Sequence, residues 1–163
     1  MLKELIRNEI TSKELVKLGS DDLESVSREV IEGYWWCLSR LDDEVCSKYE
    51  SLINEVINSL SKVRLSKALE VGVPEGSFDE LLLLKLIDVV STFYKAYFLG
   101  LVDAEGYVVV KVLRNFSLGN RVFREGSTTV LDVLSASFLK ALGLVKLVSD
   151  SLVDDEARIN TEL

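Results

Sequence analysis

Residues 78–99 offer a helix almost no polar surface. Leu81, Leu82, Leu83, Leu84, Leu86, Ile87, Val89, Val90, Phe93, Tyr94, Tyr97 and Phe98 crowd into them, and Lys85, Asp88, Ser91 and Lys95 trace only a narrow polar strip. At helical spacing the apolar side chains cover more than half the circumference, so such a helix has to be covered on several sides. Ser77-Phe78-Asp79-Glu80 has the spacing of a capping box, which predicts Ser77 as the N-cap of a helix roughly 33 Å long. Asp79, Glu80, Lys85, Asp88 and Lys95 interrupt the run, so it does not read as a membrane span. Three partner helices in the same chain could cover the helix. A second subunit would cover it more easily, and the width of the arc favours this. Leu83, Ile87, Tyr94 and Phe98 are therefore expected at an interface.

The residues before this helix also read as helical. Leu2, Leu5, Ile6, Ile10, Leu15 and Leu18 predict one helix, closed by Gly19. A second is predicted over about 22–40, with Val30, Ile31, Tyr34, Cys37, Leu38 and Leu41 on one face. Trp36 points the other way, among Glu29, Glu32 and Arg40. It either lies on the surface or under a neighbouring loop, or it anchors a partner. A third helix starts near Asp42-Asp43-Glu44, acids suited to a helix N-terminus. Its stripe runs from Val45 through Tyr49, Leu52, Ile53, Val56, Ile57 and Leu60 to Val63, and then Arg64 and Lys67 enter the apolar arc. Either the helix end leaves the core there and the cations complement its dipole, or both faces are buried and Arg64 meets a carboxylate across an interface.

After a short linker with Gly100, Asp103, Glu105 and Gly106, the pattern changes. Residues 107–113 are rich in β-branched side chains and read as a strand, followed by strands over 121–124 and 128–131. Asp132 opens a short helix that Gly143 ends, and 144–148 is a last strand. The fold class predicted is α+β: an N-terminal α-helical bundle over 1–102, a small β-rich domain over 106–149, and an acidic tail over 150–163 expected to be disordered. A β-rich unit of about 45 residues buries too little surface to be comfortable alone, so it is expected to lean on something else.

Composition restricts the chemistry. The 163 residues contain no histidine, which removes Ser-His-Asp and Cys-His nucleophiles and histidine zinc sites. Two cysteines, Cys37 and Cys46, are too few for a structural zinc site or a disulfide framework and read as buried thiols in a reducing compartment. Met1-Leu2-Lys3-Glu4 has no apolar leader core, which predicts a cytoplasmic protein. No phosphate-cradling loop follows a strand. The paired acids Asp21-Asp22, Asp42-Asp43 and Asp154-Asp155 fall at helix starts or in the tail, where capping and solubility account for them. No catalytic residue, cofactor or metal is expected, and the chain reads as a non-enzymatic interaction protein. The net charge of −8 repels nucleic acid. Yet residues 106–149 hold 6 Lys/Arg against 2 Asp/Glu, while 150–163 hold 1 against 5. Arg114, Phe116, Arg121 and Phe123, with Arg124, mix cations and aromatics. They suit single-stranded nucleic acid, a protein-docking face, or a small β-unit with core aromatics and solvated arginines.

Two stretches together carry a family resemblance. Lys62-Val63-Arg64-Leu65-Ser66-Lys67-Ala68-Leu69, followed by a long apolar helix with Phe93-Tyr94, resembles the helical A domain of archaeal GINS replication subunits, with its R-L-x-K-x-L run. Val108-Val109-Val110-Lys111-Val112-Leu113-Arg114, then Gly126, Thr129-Val130-Leu131 and Phe138-Leu139-Lys140-Ala141-Leu142-Gly143-Leu144-Val145, resemble the small GINS B domain. The likeness covers about residues 40–148. The chain has Gly126-Ser127 where the family has Gly-Asp, and Leu131-Asp132 where it has Leu-Pro. The domain order is that of the GINS subunit type with the helical domain first. The resemblance implies a nucleoid-associated scaffold that pairs with a second GINS subunit of opposite domain order in a two-plus-two tetramer. It also implies that the scaffold bridges the MCM helicase and a RecJ-like relative of the fork protein Cdc-forty-five, with primase a further contact. Direct DNA contact is expected to be weak or absent. The competing expectation is an autonomous nucleic-acid-binding module built on the basic β domain.

Overall fold

The computed structural model describes residues 1–39 and 43–148. Arg40, Leu41, Asp42, Ser149 and the tail over 150–163, with its Asp154-Asp155 pair, lie outside the described residues. The fold is α+β, in the order α1 (Leu2–Thr11), α2 (Ser20–Ser39), α3 (Asp43–Val71), α4 (Glu80–Phe98), β1 (Tyr107–Val112), β2 (Phe116–Leu118), β3 (Arg121–Phe123), β4 (Thr128–Asp132), α5 (Val133–Ala141) and β5 (Val145–Leu147). Two compact units divide the chain, Met1–Leu84 and Lys85–Leu163.

In the first unit α1 packs on α3, and α2 runs beside α3. The first helix is shorter than its apolar spacing predicts. It stops at Thr11 because Ser12 is extended (φ −70°, ψ 145°). The Ser12 hydroxyl bonds locally, donating to the Glu14 carbonyl at 2.8 Å and accepting from the Glu14 amide at 3.1 Å. Such a local turn competes with helix continuation. Leu15 and Leu18 still reach the core, delivered by an irregular segment rather than a helix. Between α2 and α3, Gly33 makes room for Tyr49. A Cβ at Gly33 would lie 2.2 Å from the Tyr49 hydroxyl, which donates to the Val30 carbonyl at 3.0 Å.

Cys37 and Cys46 are not free thiols. They form a disulfide joining α2 to α3 across nine positions. Periodicity put Cys37 on the inner face of α2 correctly, and it is fully buried, but nothing in a nine-residue spacing says whether two thiols meet. Closing a loop of this length stabilises a fold by about 2–3 kcal/mol. Reduction is expected to lower the melting temperature of this unit by on the order of 10 °C. Thermal melts followed by tryptophan fluorescence with and without reductant measure this, since both tryptophans sit on α2. Identical melts would contradict it.

The second unit is built on a three-stranded antiparallel sheet in the order β4-β1-β5. Alternation along β1 sends Val108, Val110 and Val112 inward and Tyr107, Val109 and Lys111 outward. The inner face meets Val133, Ala136 and Leu139 of α5, and Phe93 and Ala96 of α4 join the same core. The small β-unit thus takes its support from the end of α4. Lys140 on α5 donates to the Thr92 hydroxyl at 3.2 Å. A hairpin of β2 and β3 pairs Phe116 with Phe123, whose rings stack at 4.7 Å. The helix expected from Asp132 starts there: its carboxylate accepts from the Ser135 amide at 2.9 Å. These hydrogen bonds hold the carboxyl below its usual value. Asp132→Ala is expected to cost about 1 kcal/mol, read as a shift in the denaturant midpoint. No shift would refute the cap.

Candidate interaction surface

The second unit leaves one face of α4 uncovered. Ala96, Thr92 and Val89 lie on the buried side. Opposite them, at i, i+3/i+4 spacing, come Val90, Tyr94, Tyr97 and Phe98, all exposed. Phe98 is 84% accessible and Tyr94 55%. Their rings are ordered among themselves: Tyr94 stacks on Phe98 at 5.9 Å, and Phe93 meets Tyr97 at 5.0 Å and Tyr94 edge-on at 5.8 Å. Aromatic side chains of this kind bury about 150–250 Å² each, so Tyr94, Tyr97 and Phe98 alone present on the order of 400 Å² of ring surface. Exposed apolar patches of that size commonly mark interaction sites. Of the expected interface residues on α4, Tyr94 and Phe98 therefore lie on the open face. Ile87 is half-buried and Leu83 is buried. Val90 and Tyr97, adjoining members of the stripe, complete it.

Trp36 is 56% exposed on α2, beside the still more exposed Trp35. That exposure fits a tryptophan lying on the surface and one that anchors a partner equally well.

Arg64 is buried and Lys67 is largely so. Arg64 is 4% exposed, and each of its five N–H donors has an acceptor within the first unit. Nε and Nη2 grip Asp79 in a two-pronged pair at 2.7 and 2.8 Å. Nη1 donates to Glu9 Oε2 at 2.6 Å and to the Val16 carbonyl at 2.9 Å, and Nη2 also reaches Ser77 Oγ at 3.4 Å. Lys67 pairs with Glu9 Oε1 at 2.8 Å and donates to the carbonyls of Glu9 and Glu14. The carboxylates that meet Arg64 thus come from the same chain. Ser77 is drawn into this cluster and is not the helix cap that the capping-box spacing predicted. Its hydroxyl donates to Asp79 Oδ1 at 2.7 Å and accepts from the Leu18 amide at 3.2 Å. Glu80 reaches back to the Gly76 amide instead.

The cluster explains how the irregular segment after α1 can lie inside. Buried backbone groups need partners. The Val16 amide finds Glu9 Oε2, the Val16 carbonyl finds Arg64, and the Leu18 amide finds Ser77. Periodicity alone overlooked Glu9 and Asp79. Glu9 left one signal: it sits four residues after Leu5 and three after Ile6, an acid on the apolar face of α1. It is fully buried.

Burial pushes the Asp79 carboxyl up, but the hydrogen bonds from Arg64 and Ser77 and the guanidinium charge outweigh it and hold it below the usual carboxylate value of 3.8. A lowered folded value adds stability that is present above 3.8 and is lost as pH falls through the folded value. The first unit is therefore expected to weaken in acid below that point, and Asp79→Asn is expected to flatten this acid limb in melts taken across pH. An unchanged acid limb in the variant would contradict the assignment.

In the basic hairpin the aromatics turn inward. Phe123 is buried and Phe116 packs against the same core, while Arg114, Arg121 and Arg124 are exposed. The rings stack on each other and present no platform to a base. Among the described residues no group of three or more metal-ligating side chains is placed to hold an ion, and no helix is long and apolar enough to cross a membrane. Neither protein-family models nor curated proteins give a match to this chain.

Proposed function

We propose that this protein is a non-enzymatic scaffold subunit of a GINS-type replication complex, with an A-type helical domain over 1–102 and a B-type domain over 106–149. The observation that carries the reading is the open aromatic face of α4, Val90-Tyr94-Tyr97-Phe98, on a helix too apolar to stand uncovered. The R-L-x-K run of α3, the order of helical and β-rich parts, and the B-type pattern over 108–145 support it. In this reading the α4 face seats a second GINS subunit, and the assembled two-plus-two particle joins the MCM helicase to a RecJ-like factor, with primase as a further contact and little direct DNA binding. Its place is the cytoplasm, at the nucleoid. The Cys37–Cys46 disulfide runs against a reducing cytoplasm, where such bonds are rare.

Co-expression with a candidate subunit of opposite domain order, followed by capture of purified MCM helicase and RecJ-like factor, tests the proposal. The pair is expected to co-purify and retain both. A pair that forms but retains neither would remove the replication role and leave the interface standing.

A further inference from the structure

The outward face of the β4-β1-β5 sheet sets two lysines side by side at one end, with its one carboxylate, Asp132, at the other end opposite Tyr107 and engaged by the Ser135 amide. Lys111 on β1 and Lys146 on β5 are directly opposed in the register, and both point away from the core. Opposed side chains in a sheet have Cβ atoms about 5 Å apart, and like charges there repel. Among the described residues no carboxylate pairs with either lysine. Beside them Val109 and Val130 are opposed on the same face and half-exposed, with Tyr107 at its far end. A small apolar floor with two unneutralised cations is a seat for an acidic segment that also carries aliphatic side chains.

We propose that its occupant is residues 150–163 of the same chain. That segment reads Asp150-Ser151-Leu152-Val153-Asp154-Asp155-Glu156 at its start and holds 5 acids against 1 base. The segment leaves from β5, the strand that holds Lys146. Its 14 residues span up to roughly 45 Å when extended, against about 20 Å for a six-residue strand. Tethered so closely, it meets the sheet at an effective concentration of order mM, so a weak contact suffices. Asp154, Asp155 and Glu156 would neutralise Lys111 and Lys146, and Leu152 and Val153 would cover Val109 and Val130. This inference rests on the second unit alone and does not depend on the replication reading.

A spin label on Asn160→Cys in the full chain, with the Cys37–Cys46 disulfide intact, tests it through the methyl signals of Val109 and Val130. At low salt those signals are expected to lose at least about two-fold in intensity, because the tethered segment is bound most of the time. They are expected to recover at roughly 0.5 M salt, where the screening length falls to about 4 Å. Recovery is also expected in Lys111→Glu/Lys146→Glu, or in Lys111→Gln/Lys146→Gln should the charge reversal disturb the sheet. Undiminished methyl signals at low salt would overturn the proposal. So would loss confined to Leu118 and Val122 of the hairpin. Loss seen only when labelled and isotope-enriched copies are mixed would place a second copy's segment there, and would overturn it too.

Discussion

Arg64→Ala is expected to unfold the first unit. The substitution removes the cation that Glu9 and Asp79 share and leaves two buried carboxylates facing a cavity. Removing one partner of a buried ion pair costs about 3–5 kcal/mol, and here the Val16 carbonyl and the Ser77 hydroxyl lose a donor as well. Small domains hold only about 5–15 kcal/mol in total. Arg64→Lys is expected to fall between, because an ammonium offers three donors where the guanidinium offers five and cannot grip Asp79 with two prongs. Loss of helical circular dichroism and a red-shifted tryptophan emission would report the collapse, since Trp35 and Trp36 lie on α2. An Arg64→Ala protein melting within a degree or two of the wild type would mean that the cluster contributes little.

Tyr94→Ala and Phe98→Ala are expected to behave in the opposite way. Both side chains are open to solvent in the isolated chain, and exposed substitutions of this kind usually move stability by within about 0.5 kcal/mol. The melting temperature should therefore hold. Association should not, because aromatic anchors at an interface centre are worth about 2 kcal/mol or more each, roughly 30-fold in affinity. The double variant should lose the partner subunit altogether. Melting and mass measured on the same samples separate the outcomes. Unchanged mass would show that this face is not an interface, and a lowered melting temperature would show that the rings support the chain's own fold.

Much of the architecture was legible in the sequence, and the limits have physical causes. Strong periodicity placed α2, α3 and α4 to within a few residues, and β-branched runs placed β1, β4 and β5. Asp132 announced α5 because a single side chain satisfies its first turn. The first helix was overextended because Leu15 and Leu18 are core residues at helical spacing, and a local hydroxyl turn at Ser12 overrides that spacing. The breadth of apolar surface on α4 was visible as composition. Which face stays open was not, because that depends on the β-unit folding against Thr92, Phe93 and Ala96. The Arg64 cluster draws on positions 9, 16, 64, 77 and 79, and no local window contains them together. For Arg64 the sequence left two readings open, a complement to the helix dipole and an ion pair across an interface, and it did not say that the chain supplies two carboxylates of its own.

The central claim is that the open face of α4 is made to be covered by another subunit. The native mass of the purified 18.3 kDa chain, alone and mixed with a GINS subunit of opposite domain order, tests it most directly. The account predicts a stable two-plus-two particle that Tyr94→Ala/Phe98→Ala abolishes. A monomer in every mixture, with Tyr94 and Phe98 as open to solvent in the mixture as in the chain alone, would contradict it.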